Sequence, residues 1–211
     1  MNHPFLTITL LLSLGGALHS EDIDSVDMHG NSSLHIAALQ GRTKAAARLI
    51  EAGADIDAKN QGGQTPLHSA AKNLRLETSK LLIDQGADVN IKDGGGRTAL
   101  FEAARGGGIE LVRLLVAEGA LIPKNGLTPL NEAAGGSFNS SENESKRREE
   151  LVKYFLDQGV DVNSIGSSAW AIGNAGATPL HAAAGRAGPS VLSLLLATTL
   201  SRRNHVKKNE F

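Results

Sequence analysis

Apolar positions along the chain fall into short paired bursts separated by turn residues, and the pairs recur. Leu34, Leu67 and Leu100 stand 33 residues apart, each inside the same phrase: DMHGNSSLHIAA from Asp27, NQGGQTPLHSAA from Asn60 and DGGGRTALFEAA from Asp93. GLTPLNEAA from Gly126 and GATPLHAAA from Gly176 continue the series. A second apolar run follows the phrase and closes on Gly and a small residue, as in AARLIEAGADID, SKLLIDQGADVN, VRLLVAEGALI and VKYFLDQGVDVN. Leu67, Ala70 and Ala71 recur at helical spacing, and the alanines let a neighbouring helix approach closely. A unit this short cannot bury its own apolar face, so it must be stabilised by stacking on its neighbours.

The local chemistry of one unit predicts turn, helix, helix. Gly62 and Gly63 suit a tight turn, Thr65 is a good N-cap, and Pro66 at the first helical position loses no needed N–H. Leu81, Leu82 and Ile83 make a second apolar helix, which Gly86 ends in the left-handed conformation.

These residues resemble the ankyrin repeat. Its pattern Gly-x-Thr-Pro-Leu-His-x-Ala-Ala, then Leu-Leu and Gly-Ala, is matched by Gly63 to Ala71, Leu81-Leu82 and Gly86-Ala87. The resemblance runs over about residues 22–197 in five copies. It implies an all-α repeat solenoid of stacked helix–turn–helix units, with short β-hairpin or loop fingers on one side, and a non-enzymatic role in binding a partner protein. It also implies that His35, His68 and His181 make structural hydrogen bonds between loops and adjacent units. Departures are Ser32-Ser33 for Thr-Pro, Ala99 and Phe101 for Pro and His in the third copy, and Asn131 for His in the fourth. The fifth copy lacks the closing Gly-Ala-x-x-Asn.

The repeats are placed at about 27–59, 60–92, 93–124, 125–163 and 174–200, within an array over 21–200. Two insertions interrupt them. One, near 137–146, lengthens the fourth copy between its helices; there Ser141 and Glu144 can form a capping box, and Glu142/Lys146 and Glu144/Arg148 are i, i+4 ion pairs. The other, near 164–173, lengthens a finger and carries Trp170, which either covers the short final repeat or anchors a partner.

The first 20 residues have the shape of a secretory signal. Phe5 to Leu14 is apolar and too short to span a bilayer, and the small residues Gly15, Gly16 and Ala17 precede the polar HSEDIDS. A mature chain beginning near 18–21 and lying outside the cytoplasm, secreted or periplasmic, with no stable membrane insertion, is the expectation. Leu10 to Ala17 also reads as the outer helix of a capping repeat, which would fit a cytoplasmic adaptor. Without cysteine, disulfide and thiolate chemistry are absent.

Composition narrows the partners. The chain is 41% hydrophobic but only 3% aromatic, which suits an Ala/Leu-rich helical array. A net charge of -1 argues against nucleic acid, whose phosphates demand clustered Lys and Arg. The one basic cluster, Arg202, Arg203, Lys207 and Lys208, lies in a segment read as a solvated C-terminal tail, 201–211.

No catalytic, cofactor or metal constellation emerges. The histidines follow the repeat, the runs Gly94–Gly96 and Gly106–Gly108 fall at turns without a following Gly-Lys-Ser/Thr, and Glu149-Glu150 read as opening a solvated helix. Asn31, Asn139 and Asn143 stand in N-glycosylation acceptor triplets. Finger and inner-helix positions that vary between copies are the candidate contact residues: Met28, His29 and Asn31; Gln61, Gln64, Ser69 and Lys72; Arg97, Glu102 and Arg105; Leu127 and Glu132; with Trp170 on the extended finger. The partner protein is unidentified, and an accessory or inhibitor subunit of an enzyme is the other functional class.

Overall fold

The computed structural model describes residues 23, 25–124, 128–135, 142–165, 177–186 and 189–208. Trp170, Leu127, Asn139, Ser141 and the N-terminal segment through Glu21 lie outside them.

Each repeat contributes an inner and an outer helix. These are α1 Ser33–Gln40 and α2 Thr43–Glu51, α3 Pro66–Lys72 and α4 Leu76–Asp84, and α5 Ala99–Gly106 and α6 Ile109–Ala117. Then follow α7 Pro129–Ala134 and α8 Glu142–Asp157, and α9 Pro179–Arg186 and α10 Pro189–Lys208. No β-strand occurs among the described residues. The described fingers at 27–31, 60–64 and 93–97 are tight turns, and an isolated antiparallel bridge pairs Val26 with Ser32.

Capping chemistry starts the inner helices where the phrase predicts. The Thr65 side chain accepts from the His68 amide, and the His68 ring accepts from the Thr65 amide, closing a reciprocal capping box. Ser32 and His35 do the same for α1, so serine replaces threonine at no loss of the cap. Outer helices end through left-handed glycines, Gly53, Gly86, Gly119 and Gly159, where a side chain would be strained.

The described residues form two compact units. The first comprises the chain through Ala103 together with Arg113–Ala120. In it α1 packs on α2 and α3, and α4 on α2 and α3. Its core is Leu34, Ala38, Leu49, Leu67, Ala71, Leu82 and Leu100, all essentially inaccessible. The second comprises Ala104–Val112 and the chain from Leu121. In it α8 packs on α7 and α10, and α9 on α7 and α10, around Leu130, Leu151, Phe155 and Leu195. Small alanines at the helix contacts permit this close packing, as their recurrence in the phrase implies.

The ten-residue insertion lengthens an outer helix: α8 has 16 residues where α4 has 9. Glu149 and Glu150 are therefore mid-helix rather than at its opening. The backbone of α10 continues through the basic segment as far as Lys208.

Candidate functional site

The finger row of the first unit is built from one repeated clamp. Asp27 Oδ1 accepts from the His29 and Asn31 amides at 2.8 and 2.9 Å. Asn60 Oδ1 takes the Gly62 and Gln64 amides, both at 2.9 Å, and Asp93 Oδ1 takes those of Gly95 and Arg97 at 2.8 and 2.9 Å. A short side-chain oxygen thus satisfies two turn amides that no helix would satisfy.

The second atom of each clamp residue distinguishes the fingers. Asp27 Oδ2 accepts from Asn31 Nδ2 at 2.9 Å, and Asp93 Oδ2 accepts from Arg97 Nε and Nη2 at 2.9 and 2.7 Å. Asn60 instead donates Nδ2 to Asn31 Oδ1 at 2.8 Å, tying one finger to the next. Burial alone would raise the Asp93 carboxyl, but hydrogen bonds from the Arg97 side chain and the Arg97 and Gly95 amides hold it below the ordinary carboxylate range.

Backbone bonds complete the row. The Gln61 amide donates to the His29 carbonyl at 3.1 Å and the Gly94 amide to the Gly62 carbonyl at 2.8 Å. Gln61 Nε2 adds a bond to the Met28 carbonyl at 3.2 Å. Such close approach requires glycine: a Cβ on Gly63, whose φ is 72°, would stand 2.8 Å from the Gly94 nitrogen.

Behind the fingers, histidine joins inner helix to next finger. His35 Nε2 lies 2.8 Å from the Gln64 carbonyl oxygen and His68 Nε2 3.0 Å from that of Arg97. In each ring Nδ1 accepts from the amide of the N-cap residue, so the neutral Nε2–H tautomer satisfies every partner. Burial pushes both imidazoles below their ordinary value, only partly offset by the carbonyl each ring faces.

Asn131 performs the same task in the second unit. Its Nδ2 donates to the Ala177 carbonyl at 3.0 Å, and its Oδ1 accepts from Thr128 Oγ1 at 2.7 Å. The donor and carbonyl are 46 residues apart there and 29 apart for His68, the 17 additional residues being the two insertions. The connection from inner helix to following finger is therefore kept across both insertions.

A sequence description of the family "Ankyrin repeats (3 copies)" matches residues 2–93 and 91–165. The chain belongs to the ankyrin-repeat family. No curated protein matches it. Ankyrin repeats are protein–protein interaction modules, generally non-enzymatic scaffolds, and the finger row is the part of this ankyrin chain where exposed side chains stand on a braced backbone.

Met28, His29, Gln61 and Lys72 are exposed, as a contact surface requires. Three other candidates are not on that surface. Ser69, Glu102 and Glu132 are buried, the two glutamates at 1% exposure, because the inner-helix position that varies between copies faces packed neighbours. The Glu102 carboxylate lies 3.6 Å from Arg97 Nη1, within the first unit. Asn31 and Arg97 are half-buried and spend their side chains on Asp27, Asn60 and Asp93, while Gln64 and Arg105 are half-buried and offer their carbonyls to His35 and Arg148. Asn31 is thus also a clamp residue at its acceptor triplet. Among the described residues no group of three or more His, Asp or Glu is placed to hold a metal, and no helix is long and apolar enough to cross a membrane.

What sequence reading missed is the hold of Arg148 on two backbone carbonyls, beyond its pairing with Glu144. The side chain is 7% exposed and donates to the Ala133 and Arg105 carbonyls at 3.3 and 3.2 Å besides meeting Glu144 at 3.3 Å. The signal was available: allowing for the ten-residue insertion, Arg148 occupies the repeat position of Arg75.

Proposed function

We propose that this ankyrin-repeat chain is a scaffold acting outside the cytoplasm, secreted or periplasmic, that binds a partner protein through the fingertips of its first unit. The observation that carries the binding surface is Met28. Its side chain is 83% exposed at the tip of a finger whose backbone is fixed by Asp27 and whose carbonyl is held by Gln61. An apolar side chain presented on a rigid turn loses little entropy when a partner covers it. His29 and Gln61 supply polar contacts around it.

The test is recovery of the partner from the native host's extracytoplasmic fraction, followed by Met28→Ala and Gln61→Ala. Met28→Ala should weaken the complex about tenfold or more, the range of a moderate interface contact, with the denaturation midpoint unchanged. Unchanged affinity in both variants removes the fingertips from the interface. A stoichiometric complex with an enzyme would define the scaffold as an accessory or inhibitor subunit.

A second reading has a specific observation in its favour. The family match begins at residue 2, which favours an N-terminal segment that belongs to the array and stays on a cytoplasmic adaptor. N-terminal sequencing of the protein from its native host separates the two: a start near residues 18–21 supports export, and a retained Met1 supports the adaptor.

A further inference from the structure

The last outer helix shows solvent an uncharged face. Val191 and Leu195 of α10 are buried, and α8 and α9 pack on the helix. Its described exposed side chains, Pro189, Ser193, Leu196, Ala197, Leu200 and Ser201, carry no charge, with Leu196 at 43% and Leu200 at 59% exposure. By contrast α2 exposes Lys44, Arg48 and Glu51, α4 exposes Glu77, Lys80 and Asp84, and α8 exposes Lys146, Glu150 and Asp157. Leu196 and Leu200 stand i, i+4, so with Ser193 and Ala197 they form one stripe along α10.

Three hydroxyls of this helix are spent within it. Ser193 Oγ donates to the Pro189 carbonyl at 2.8 Å, Thr198 Oγ1 to that of Leu194 at 2.8 Å and Thr199 Oγ1 to that of Leu195 at 2.7 Å, each four residues back. A hydroxyl bonded to its own helix leaves no unpaired donor when an apolar medium covers it. Beyond the stripe the charge is of one sign. From Pro189 to Lys208 the sequence carries Arg202, Arg203, Lys207 and Lys208 and no acidic residue, and the α10 backbone continues to Lys208. At 3.6 residues per turn, positions 203 and 207 follow 196 and 200 along the same line of the backbone helix.

We propose that α10 docks along an anionic membrane surface, with Leu196, Ala197 and Leu200 entering the boundary between headgroups and acyl chains and the basic segment from Arg202 to Lys208 meeting the headgroups. The helix lies on the membrane and does not cross it, since its apolar run is too short to span. A protein partner demands a larger patch: a stable protein interface buries about 800 Å² on each side, and two leucines and an alanine furnish a fraction of that. A lipid surface demands less, because apolar burial and coulombic attraction add. Each Lys or Arg close to an anionic bilayer strengthens binding about fivefold. The docking face belongs to the second unit and uses none of the fingertip residues.

The test is co-sedimentation of the full chain with vesicles of phosphatidylcholine containing about 30% phosphatidylserine, an anionic surface of the kind that attracts basic segments. Binding should be about a hundredfold tighter than to pure phosphatidylcholine, the product of roughly three such charges, and should weaken as salt screens them. Leu196→Gln with Leu200→Gln should weaken it about tenfold or more at an unaltered melting temperature. Lys207→Gln with Lys208→Gln should weaken it about 25-fold, two charges at fivefold each. Leu121→Gln, which removes an exposed leucine outside α10, should bind like the parent. A chain that stays in solution beside anionic vesicles overturns the proposal and leaves the stripe to a protein partner. Equal binding to both kinds of vesicle, or a leucine double variant that binds like the parent, overturns it as well.

Discussion

Arg148 lies over Gly107, its Cγ, Cζ and Nη2 standing 3.9 to 4.0 Å from where a Cβ on that glycine would be. Gly107 is left-handed, with φ 75°, and the Arg148 Nη2 donates to the carbonyl of Arg105, two residues earlier. Arg75 repeats the arrangement in the first unit: its side chain packs on left-handed Gly41, and its Nε donates to the carbonyl of Leu39, again two residues earlier. In both, one guanidinium covers the turn between a repeat's helices and satisfies a carbonyl that the inner helix leaves open. Arg75 does so from the N-cap of α4, and Arg148 from inside the extended α8.

Arg148→Ala should therefore destabilise the protein by about 2–3 kcal/mol, since it strips buried carbonyls of a charged donor and removes packing over the turn. Lys146→Ala should change stability by less than about 0.5 kcal/mol, because the Lys146–Glu142 pair is exposed at both ends. Urea denaturation of the two variants tests the contrast. Equal effects would mean that Arg148 acts only as a surface partner of Glu144.

How much was legible follows from where the determining contacts lie. Thr65, Pro66 and His68 act on one another within four positions, so their local pattern predicts the cap, and its recurrence predicts the repeat. The glycines that end outer helices are legible for the same reason. Glu102 and Glu132 misled because variation between copies marks exposed positions only when nothing packs on them. That depends on the neighbouring helix and not on the phrase. Arg148 was half legible: its pairing with Glu144 is an i, i+4 relation, but its hold on Arg105 spans 43 residues and an insertion.

Leu74 stands where the neighbouring repeats carry Gly41 and Gly107, and it adopts φ 53°. A leucine in the left-handed region costs about 1–2 kcal/mol. Replacing it with glycine relieves that strain, and the greater freedom of the unfolded chain returns about 0.4–1 kcal/mol of it. Leu74→Gly should thus be neutral to stabilising by roughly 1 kcal/mol. Leu74→Val should destabilise, as a β-branched side chain tolerates this conformation still less. A glycine variant that melts clearly lower would show that Leu74 contributes packing exceeding its strain.

Leu67 is buried in the first unit, whereas the Gln64 side chain is on the half-exposed finger and only its carbonyl is used by His35. Leu67→Ala should cost about 2–4 kcal/mol through transfer and cavity terms. Gln64→Ala should stay within about 0.5 kcal/mol, since the backbone bond survives. Similar midpoints for the two would contradict the repeat register.

Stability should fall as pH drops below about 6.5, the ordinary histidine value. Burial lowers the pKa of His35 and His68 in the folded chain, so over this window the unfolded chain binds more protons. Linkage then makes the unfolding free energy rise with pH: the contribution is complete above the unfolded value and is lost as pH falls towards the folded ones. Protonation would also place a hydrogen on Nδ1, where each ring accepts from an N-cap amide. Two such groups can contribute a slope of at most about 2.7 kcal/mol per pH unit, the limit for two protons taken up on unfolding. The Asn131 arrangement supplies the control, because an amide donates to the next finger without titrating. His35→Asn with His68→Asn should flatten the dependence between pH 5 and 7 at a modest cost in stability. Denaturation midpoints of the parent and the double variant across that range check it; an equally steep loss in both would place the titrating groups elsewhere.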